Sequence, residues 1–157
     1  MALDPGDRVL EIGCGRGLAA WLVCRQLTTG RLTAIDRSAA MITQAKRRNA
    51  EHIASGRAEF LAAAVDATGL PPRSFDKVFA VNVSLFWMAA APGEIEAVRH
   101  LLAPSGRLYI FHETAGLSRA ETISTQTCAT LARHGFTTTT RQLTSRPALP
   151  LSCVEAT

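Results

Sequence analysis

The stretch Val9-Leu10-Glu11-Ile12-Gly13-Cys14-Gly15-Arg16-Gly17 decides the fold of this 157-residue chain. A mostly apolar run leads directly into three glycines at every second position. Glycine has no Cβ, so the backbone can turn sharply there and approach a ligand closely. A helix that starts after such a loop offers free N–H groups at its first turn. The stretch therefore predicts a strand, a ligand-binding loop and a helix in succession.

An acidic residue on the next predicted strand narrows the class of ligand. Asp36 stands 19 residues beyond Gly17 (36 − 17), at the end of Leu32-Thr33-Ala34-Ile35. A carboxylate at that point can accept hydrogen bonds from both hydroxyls of a ribose. The glycine loop and this acid together indicate a cofactor that contains a nucleoside. NAD enzymes share the acid, so it does not discriminate between such cofactors.

The spacing of the glycines argues against a dinucleotide. Dinucleotide-binding loops follow the pattern G-x-G-x-x-G or A, in which the last position lets the helix pack closely. Here the spacing is G-x-G-x-G, and Leu18 occupies the position that should be small. The acidic Glu11, two residues before the first glycine, does not suit a NAD site either.

Strand-like and helix-like patterns alternate along the chain. This alternation predicts an α/β, doubly wound fold with a mostly parallel sheet and helices on both faces. The predicted strands are Arg8–Ile12, Arg31–Ile35, Ala58–Ala62, Asp76–Val83, Leu108–Phe111, Phe136–Arg141 and Ala148–Val154. The last of them contains Pro150 and lies beside Pro147, which favours an antiparallel or edge position.

Helix signals fall between the predicted strands. The first helix is expected over Leu18–Leu27, closed by Gly30. The second is expected to start after the cap Ser38, to carry Ile42, Ala45, Asn49 and Ile53, and to end at Gly56. The third is expected from Glu94 to Leu102, and the fourth from a Ser118–Glu121 capping box to Gly135. The segment Leu102–Leu108, which contains Pro104 and Gly106, is expected to be a turn that leads into the fifth strand.

Composition and charge limit the class of protein. With 47% hydrophobic and 19% charged residues and no apolar run of about 18, the chain is expected to be one soluble domain over 1–157 without a membrane partner. Met1–Asp7 is unlike a secretory signal, and the four cysteines form no C-x-x-C pair, so we expect a cytoplasmic protein without a disulfide framework or metal site. The main basic cluster, Lys46-Arg47-Arg48, is expected to be a solvated helix face, and nucleic acid is not expected as a partner.

Four segments resemble one known family. The stretch from Glu11 to Gly17 resembles the first motif of the class I S-adenosylmethionine-dependent methyltransferases of small-molecule type. The others are Ala64–Pro71, similar to the adenine-binding loop, Phe75–Asn82, similar to the fourth-strand motif, and Leu101–Leu108, similar to the turn before strand five. The resemblance implies seven strands ordered 3-2-1-4-5-7-6, with strand seven antiparallel. It also implies S-adenosylmethionine as cofactor and S-adenosylhomocysteine as product.

The cofactor residues are expected at the carboxyl ends of the first four strands, where ligands bind in open parallel sheets. Besides Glu11, the expected set is Gly13, Cys14 and Gly15 for the amino acid part, Asp36 for the ribose, Arg37 and Met41 for the adenine, and Asn82 after strand four. The resemblance implies that Asp66 accepts from the adenine amino group and that the N–H of Ala67 meets a ring nitrogen.

Candidates for the acceptor side follow strands four and five. Ser84 is a candidate substrate residue. The run Phe86-Trp87-Met88 forms either an apolar wall beside the transferable methyl group or part of the core. His112 and Glu113 close the fifth strand, and either could act as a general base. Such a base is optional, because much of the rate of methyl transfer can come from alignment and exclusion of water.

Few residues lie outside the predicted strands and helices to cover the site of the methyl acceptor. Only Met1–Asp7 precede the first strand, and Phe111–Ser118 is a short connection, so we expect no N-terminal cap. The acceptor side is then open, completed by a second subunit in a homo-oligomer, or built from the loop Ser84–Gly93. The leading hypothesis is methyl transfer to a small or medium-sized metabolite. The alternatives are a catalytically silent cofactor-binding domain, a macromolecular methyltransferase and a nicotinamide-dependent oxidoreductase.

Overall fold

The computed structural model describes residues 1–88, 92–143 and 149–157. Within them seven strands form one sheet: β1 Arg8–Ile12, β2 Arg31–Asp36, β3 Ala58–Ala62, β4 Phe75–Val81, β5 Leu102–Glu113, β6 Thr138–Leu143 and β7 Leu151–Ala156. The α-helices there are α1 Leu18–Cys24, α2 Ala39–Arg48, α3 Ala50–Ala54, α4 Pro92–Leu101 and α5 Leu117–Arg133. Short 3-10 turns cover Val65–Ala67 and Ser84–Phe86.

The strand order is β3-β2-β1-β4-β5-β7-β6, as the family resemblance implied. Strands β1 to β5 pair in parallel, and β7 runs antiparallel to both β5 and β6. The chain leaves β1 toward β2 on one side and later returns to place β4 on the other. That reversal opens a crevice at the carboxyl ends of β1 and β4, where ligands bind in sheets of this type.

Alternate residues of the central strands enter two separate cores. Leu10, Val78 and Ile110 belong to the core that contains Ile95 of α4 and Leu131 of α5. Val9, Phe79 and Tyr109 belong to a second core, which contains residues of α1 and α2. Side chains alternate between the faces of a strand, so the two cores lie on opposite faces of the sheet. This arrangement confirms the predicted doubly wound fold.

The segment predicted as a turn before strand five belongs to β5 itself. Phe75 of β4 pairs with Leu102, but Lys77 already pairs with Arg107, so an irregularity absorbs the intervening residues. A Cβ on Gly106 would lie 2.8 Å from the carbonyl oxygen of Phe75. The proline and glycine therefore mark a bulge within the strand rather than its start.

The predicted second helix is interrupted at Asn49. Its backbone leaves the helical region (φ −106°, ψ 21°), and α2 ends there before the short α3 begins. The Asn49 side chain is buried and donates hydrogen bonds to the carbonyl oxygens of Ala45 and Gly17, each at 3.0 Å. Asn49, which was predicted to lie within one continuous helix, thus connects the glycine loop to α2.

Two predicted helix ends are wrong. Gly116, not Ser118, precedes α5, and no side chain caps that end, because Ser118 already lies inside the first turn. Helix α1 ends at Cys24, and Gly30 is not in the left-handed conformation of a helix-terminating glycine. A Cβ on Gly30 would lie 2.3 Å from the carbonyl oxygen of Asp7, so close backbone approach explains that glycine.

The last strand begins later than predicted. Strand β7 begins at Leu151, while Pro147 and Ala148, which we placed beside or within it, lie outside the described residues. In the part of the chain that the structure describes, no helix combines the length and apolar character needed to cross a membrane.

Candidate functional site

A cleft of about 370 Å³ lies at the carboxyl ends of β1 to β4. It is lined by residues 12–13 at the end of β1, 35–37 at the end of β2, 63–65 after β3 and 83–85 after β4, together with Met88 and Glu94. The walls are mainly apolar, and the charged groups that line the described part are Asp36, Arg37 and Glu94. Of the predicted site residues, the cleft brings together Gly13, Asp36, Arg37 and Ser84.

The glycine loop closes one end of this cleft. Gly13 has a φ of +69°, and a Cβ there would lie 2.5 Å from Cγ2 of Val83, so the loops after β1 and β4 are in direct contact. Gly15 has a φ of +51°, yet a Cβ on it would meet nothing within 4 Å. Between them, the backbone N–H of Cys14 donates to the carbonyl oxygen of Ile35 at 3.0 Å. Contacts with Val83 and Ile35 thus hold the loop in place, and open space remains beside Gly15.

The carboxylate of Asp36 is held by two backbone N–H groups. Its Oδ2 accepts from Gly15 at 2.9 Å, and its Oδ1 accepts from Ser38 at 2.9 Å. An ionised carboxylate has about four acceptor positions, so two such bonds leave room for the hydroxyls of a ribose. The same bonds join the glycine loop to the N-terminus of α2.

Glu11 lies behind the glycine loop with only 2% of its surface exposed. Burial raises its pKa to about 8, an effect that the backbone N–H of Ala20 opposes and the negative charge of Asp36 reinforces. Its Oε2 has no hydrogen-bond partner among the described residues. Burial also raises the pKa of Cys14 to about 12, so that thiol stays protonated and unreactive.

An ion pair joins the two sides of the cleft. The guanidinium of Arg37, which follows β2, contacts the carboxylate of Glu94 in the first turn of α4. The Arg37 side chain is 68% exposed, whereas that of Glu94 is only 7% exposed. Glu94 was not predicted to be a site residue, because an acid in the first turn of a helix is explained by the helix dipole alone.

Three residues expected at the adenine do not line the cleft. Asp66 and Ala67 lie on the exposed side of the turn Val65–Ala67, whose buried residue Val65 does line it. The N–H of Ala67 is already bonded to the carbonyl oxygen of Ala64 at 3.0 Å. Met41 lies half-buried in the first turn of α2.

Asn82 connects the ends of β4 and β5. It has a φ of +56°, its N–H donates to the carbonyl oxygen of Phe111, and its Oδ1 accepts from the N–H of Glu113 at 2.9 Å. Both Asn82 and Glu113 are exposed. Ser84, two residues after Asn82 in the chain, lines the cleft.

The run Phe86-Trp87-Met88 divides between core and site. Phe86 is fully buried in the core, whereas Met88 is 63% exposed and lines the cleft. Trp87 is half-buried, with its ring centroid 6.0 Å from that of His112. Residues 89–91 of the predicted acceptor loop lie outside the described residues.

His112 is buried between β5 and α5. Its Nε2 lies 3.2 Å from the carbonyl oxygen of Ala120 and 3.2 Å from Oγ of Ser124. A carbonyl only accepts, so Nε2 carries the proton and Nδ1, which has no partner among the described residues, keeps its lone pair. Burial lowers the pKa of His112, which keeps the ring neutral at pH 7.

These residues fit a cofactor made of an amino acid and a nucleoside. The space beside Gly15 admits a ligand close to the backbone, and the unpartnered Oε2 of Glu11 lies behind the same loop. Asp36 keeps free acceptor positions next to a slot whose walls are mainly apolar. Such a slot suits a flat base, and the carboxylate suits a ribose.

Comparison with known proteins agrees with this geometry. Residues 9–106 match the family described as "Methyltransferase domain". The fold is similar to that of a SAM dependent methyltransferase from Aquifex aeolicus, with a TM-score of 0.81, 17% identity and coverage of 99% of this chain and 84% of that one.

Two curated relatives carry different acceptors in their names. The trans-aconitate 2-methyltransferase of Paracidovorax citrulli is 32% identical over 108 residues, which cover 69% of this chain and 39% of that protein. The protein-L-isoaspartate O-methyltransferase of Methylorubrum populi is 40% identical over 112 residues, covering 70% of this chain and 47% of that protein. The chain therefore spans less than half the length of either relative.

Proposed function

Because the chain belongs to the class I S-adenosylmethionine-dependent methyltransferases, we propose that it transfers a methyl group from this cofactor to a small or medium-sized metabolite. The observation that carries the proposal is the cleft in which Asp36, held by Gly15 and Ser38, stands between the glycine loop and an apolar slot. When bound, the cofactor supplies an electrophilic methyl group on a sulfonium ion.

In this proposal the residues of the cleft bind and orient. Gly13 and Gly15 receive the amino acid part of the cofactor, and Glu11 lies behind them as an acceptor for its ammonium group. Asp36 binds the ribose hydroxyls. The carboxylate of Asp36 also favours the positive charge of a sulfonium. Exclusion of water by the apolar walls aids the transfer, because methyl transfer disperses charge.

The acceptor side lies toward β4 and β5 in this proposal. Met88 and Ser84 line that part of the cleft, and the ring centroids of Trp87 and His112 lie 6.0 Å apart. A hydroxyl acceptor would need a base, for which the candidates are His112, whose Nδ1 has no partner among the described residues but is buried, and the exposed Glu113. An acceptor that is already nucleophilic needs no base.

A macromolecular acceptor is the second candidate. The Methylorubrum populi relative, by its name, acts on a protein, and Met88 at the cleft is 63% exposed. An open, apolar edge of this kind would admit a side chain of another protein. Turnover of a peptide that contains isoaspartate, tested beside carboxylic acids, phenols and amines, separates the two candidates.

The proposal is tested by calorimetric titration of the purified chain with S-adenosylmethionine, S-adenosylhomocysteine and NAD. We expect micromolar binding of the two sulfur nucleosides, no binding of NAD, and loss of at least tenfold in affinity for Asp36→Ala. The matched control is Glu59→Gln, which removes an exposed carboxylate from β3. A preference for NAD, or no binding of either sulfur nucleoside, overturns the proposal. Binding without turnover of any acceptor favours a silent cofactor-binding domain.

A further inference from the structure

A second cavity, of about 400 Å³, lies at the opposite end of the sheet from the cofactor cleft. Strand β4 runs from one site to the other, because Phe75 at its start lies beside Gly106 of the cavity and Val81 ends it at the cleft. These two residues are six positions apart (81 − 75), and a strand rises about 3.3 Å per residue, so the ends of β4 are about 20 Å apart. The proposed function makes no use of this cavity.

The irregularity in β5 shapes one wall of the cavity. The register with β4 shifts between Leu102 and Arg107, and Ala103, Pro104 and Gly106 of this segment line the cavity. Bulges are common next to functional sites, where they redirect the chain. A volume of about 400 Å³ lies within the range of small-molecule pockets. The cavity is therefore large enough for a small organic ligand.

One of the two guanidinium groups that line this cavity belongs to Arg99, in the last turn of α4. Its Nη1 donates a hydrogen bond to the carbonyl oxygen of His134 at 2.8 Å. A Cβ on Gly135 would lie 2.6 Å from the same Nη1, so a side chain at that position would displace the arginine. A guanidinium has five N–H donors, so Arg99 is held at the cavity and still has donors for a ligand.

The other guanidinium belongs to Arg73, which is held through its backbone. Its N–H donates to the carbonyl oxygen of His100, and the N–H of Ser74 donates to that of Leu101, each at 2.9 Å. Arg73 has a φ of +53°, a left-handed conformation that is unfavourable for a long side chain and is found most often at functional sites. The helix dipole explains a basic residue such as Arg99 at the end of α4, but it does not explain Arg73, which lies in no helix.

The charged side chains of this cavity are positive. None of the residues that line its described part is acidic, and neither Arg73 nor Arg99 forms an ion pair with a carboxylate of the described residues. Thr157 also lines the cavity, but its N–H and carbonyl groups are bonded to the backbone of Thr137. Guanidinium groups bind carboxylate, sulfonate and phosphate groups through pairs of hydrogen bonds. The cavity therefore fits the charged end of an anion.

We propose that this cavity binds a small organic anion, made of an apolar body and one carboxylate, sulfonate or phosphate group. Arg73 and Arg99 bind the charged group, and the apolar body is buried against Leu102, Pro104 and Phe136. No described residue lines both this cavity and the cofactor cleft. The proposal therefore goes beyond the proposed function and does not depend on it.

The test uses anilinonaphthalene sulfonate (ANS), an apolar ring system with one sulfonate group, whose fluorescence rises on binding. Its dissociation constant is measured for the wild-type chain, Arg73→Asn, Arg99→Gln and the double variant. Asparagine is chosen at position 73 because it tolerates the left-handed conformation. We expect each single variant to weaken binding about fivefold and the double variant about tenfold or more, because charge-assisted hydrogen bonds to the sulfonate are lost.

Controls address the charge of the probe and the position of the arginines. Phenylnaphthylamine has the same rings without the sulfonate, and we expect it to bind the wild-type chain more weakly and to be unaffected by the variants. Arg31→Gln removes an exposed arginine from β2 that does not line the cavity, and it should leave ANS binding unchanged. Arg37→Gln removes the arginine that lines the cofactor cleft and should also leave it unchanged.

Several outcomes would overturn the proposal. They are no binding of ANS to the wild-type chain, equal binding to the wild-type chain and the double variant, and equally tight binding of phenylnaphthylamine. A loss in Arg37→Gln without a loss in the double variant would assign the anion to the cofactor cleft and overturn the proposal as well. Partial unfolding of a variant cannot imitate the expected result, because exposed core surface increases ANS binding, whereas the proposal predicts a decrease.

Discussion

The side-chain oxygen of Asn82 accepts a hydrogen bond from the backbone N–H of Glu113 at 2.9 Å. This bond joins the first residue after β4 to the last residue of β5, and Asn82 makes it from a left-handed conformation with φ +56°. Asparagine tolerates that conformation better than most residues with a Cβ. The bond therefore fixes the edge of the sheet next to the candidate acceptor side.

The first prediction concerns this bond. We expect Asn82→Ala to lower the free energy of unfolding by about 1–3 kcal/mol, because it removes the acceptor and leaves alanine in a left-handed conformation. Asn82→Gly relieves the backbone but not the lost bond and should fall between alanine and the wild type. Asn82→Asp keeps an acceptor and should cost least. Denaturant unfolding gives the order, and equal losses for alanine and aspartate would contradict it.

The second prediction concerns the contact between Gly13 and Val83. Gly13→Ala places a Cβ against Val83 and forces alanine into a φ of +69°, so we expect a loss of more than about 2 kcal/mol in the free energy of unfolding. Val83→Ala removes the methyl group that would clash. The double variant should recover part of the loss, because the clash is relieved while the backbone strain remains. Denaturant unfolding gives these losses. If the loss in the double variant equals the sum of the two single losses, the contact between the two loops does not cause the loss in Gly13→Ala.

The third prediction uses the raised pKa of Glu11. The folded chain binds this proton up to a pKa of about 8, whereas the unfolded chain releases it near 4.5. Between those values the folded state holds more protons, so the free energy of unfolding falls as the pH rises from about 5 to 8. The upper limit for a shift of this size is about 5 kcal/mol. Glu11→Gln should flatten this slope, and Glu59→Gln should keep it.

The ionisation of Glu11 can also be measured through cofactor binding. If the ammonium group of the cofactor pairs with Glu11, the bound state favours the ionised carboxylate. Binding of S-adenosylhomocysteine near pH 7 should then release a proton to the buffer. The observed binding enthalpy should depend on the ionisation enthalpy of the buffer for the wild-type chain and less so for Glu11→Gln. An equal buffer dependence in both would separate Glu11 from the cofactor.

The fourth prediction concerns the segment before β1. The side chain of Lys77 on β4 is only 12% exposed, and its ammonium group contacts the carboxylates of Asp7 and Asp4. Asp7 is itself buried, so Asp7→Asn should cost about 2 kcal/mol in the free energy of unfolding, since it weakens the pairing of a half-buried cation. Asp4 is 85% exposed, and Asp4→Asn should cost less than about 0.5 kcal/mol. Equal costs in thermal unfolding would contradict this difference.

The strands could be predicted from the sequence because each is a short apolar run between turn residues. The predicted bounds of β1 and β3 match the structure, and the family resemblance supplied the order of the strands. The break at Asn49 could not be predicted, because it depends on a hydrogen bond to Gly17, which lies 32 residues away. Local propensity contains no information on a partner so distant.

Site residues could be predicted where they lie at the end of a predicted strand. Gly13 directly follows β1 and Asp36 is the last residue of β2, so their place at the edge of the sheet is fixed by the strand ends. Glu94 was missed because its pairing with Arg37 joins two elements on opposite faces of the sheet. Phe86, in turn, could not be separated from Met88 by sequence, because both follow β4 and only the packing of α4 and α5 decides which one is buried.

The antiparallel strand β7 lies between β5 and β6, although β6 precedes it in the chain. During synthesis on the ribosome, β6 therefore emerges before the strand to which it will bond. Until residues 151–156 follow, the edge of β5 stays open and β6 has no place in the sheet. The edges of β5 and β6 therefore stay unpaired at the same time, and β7 pairs with both once it has been synthesised.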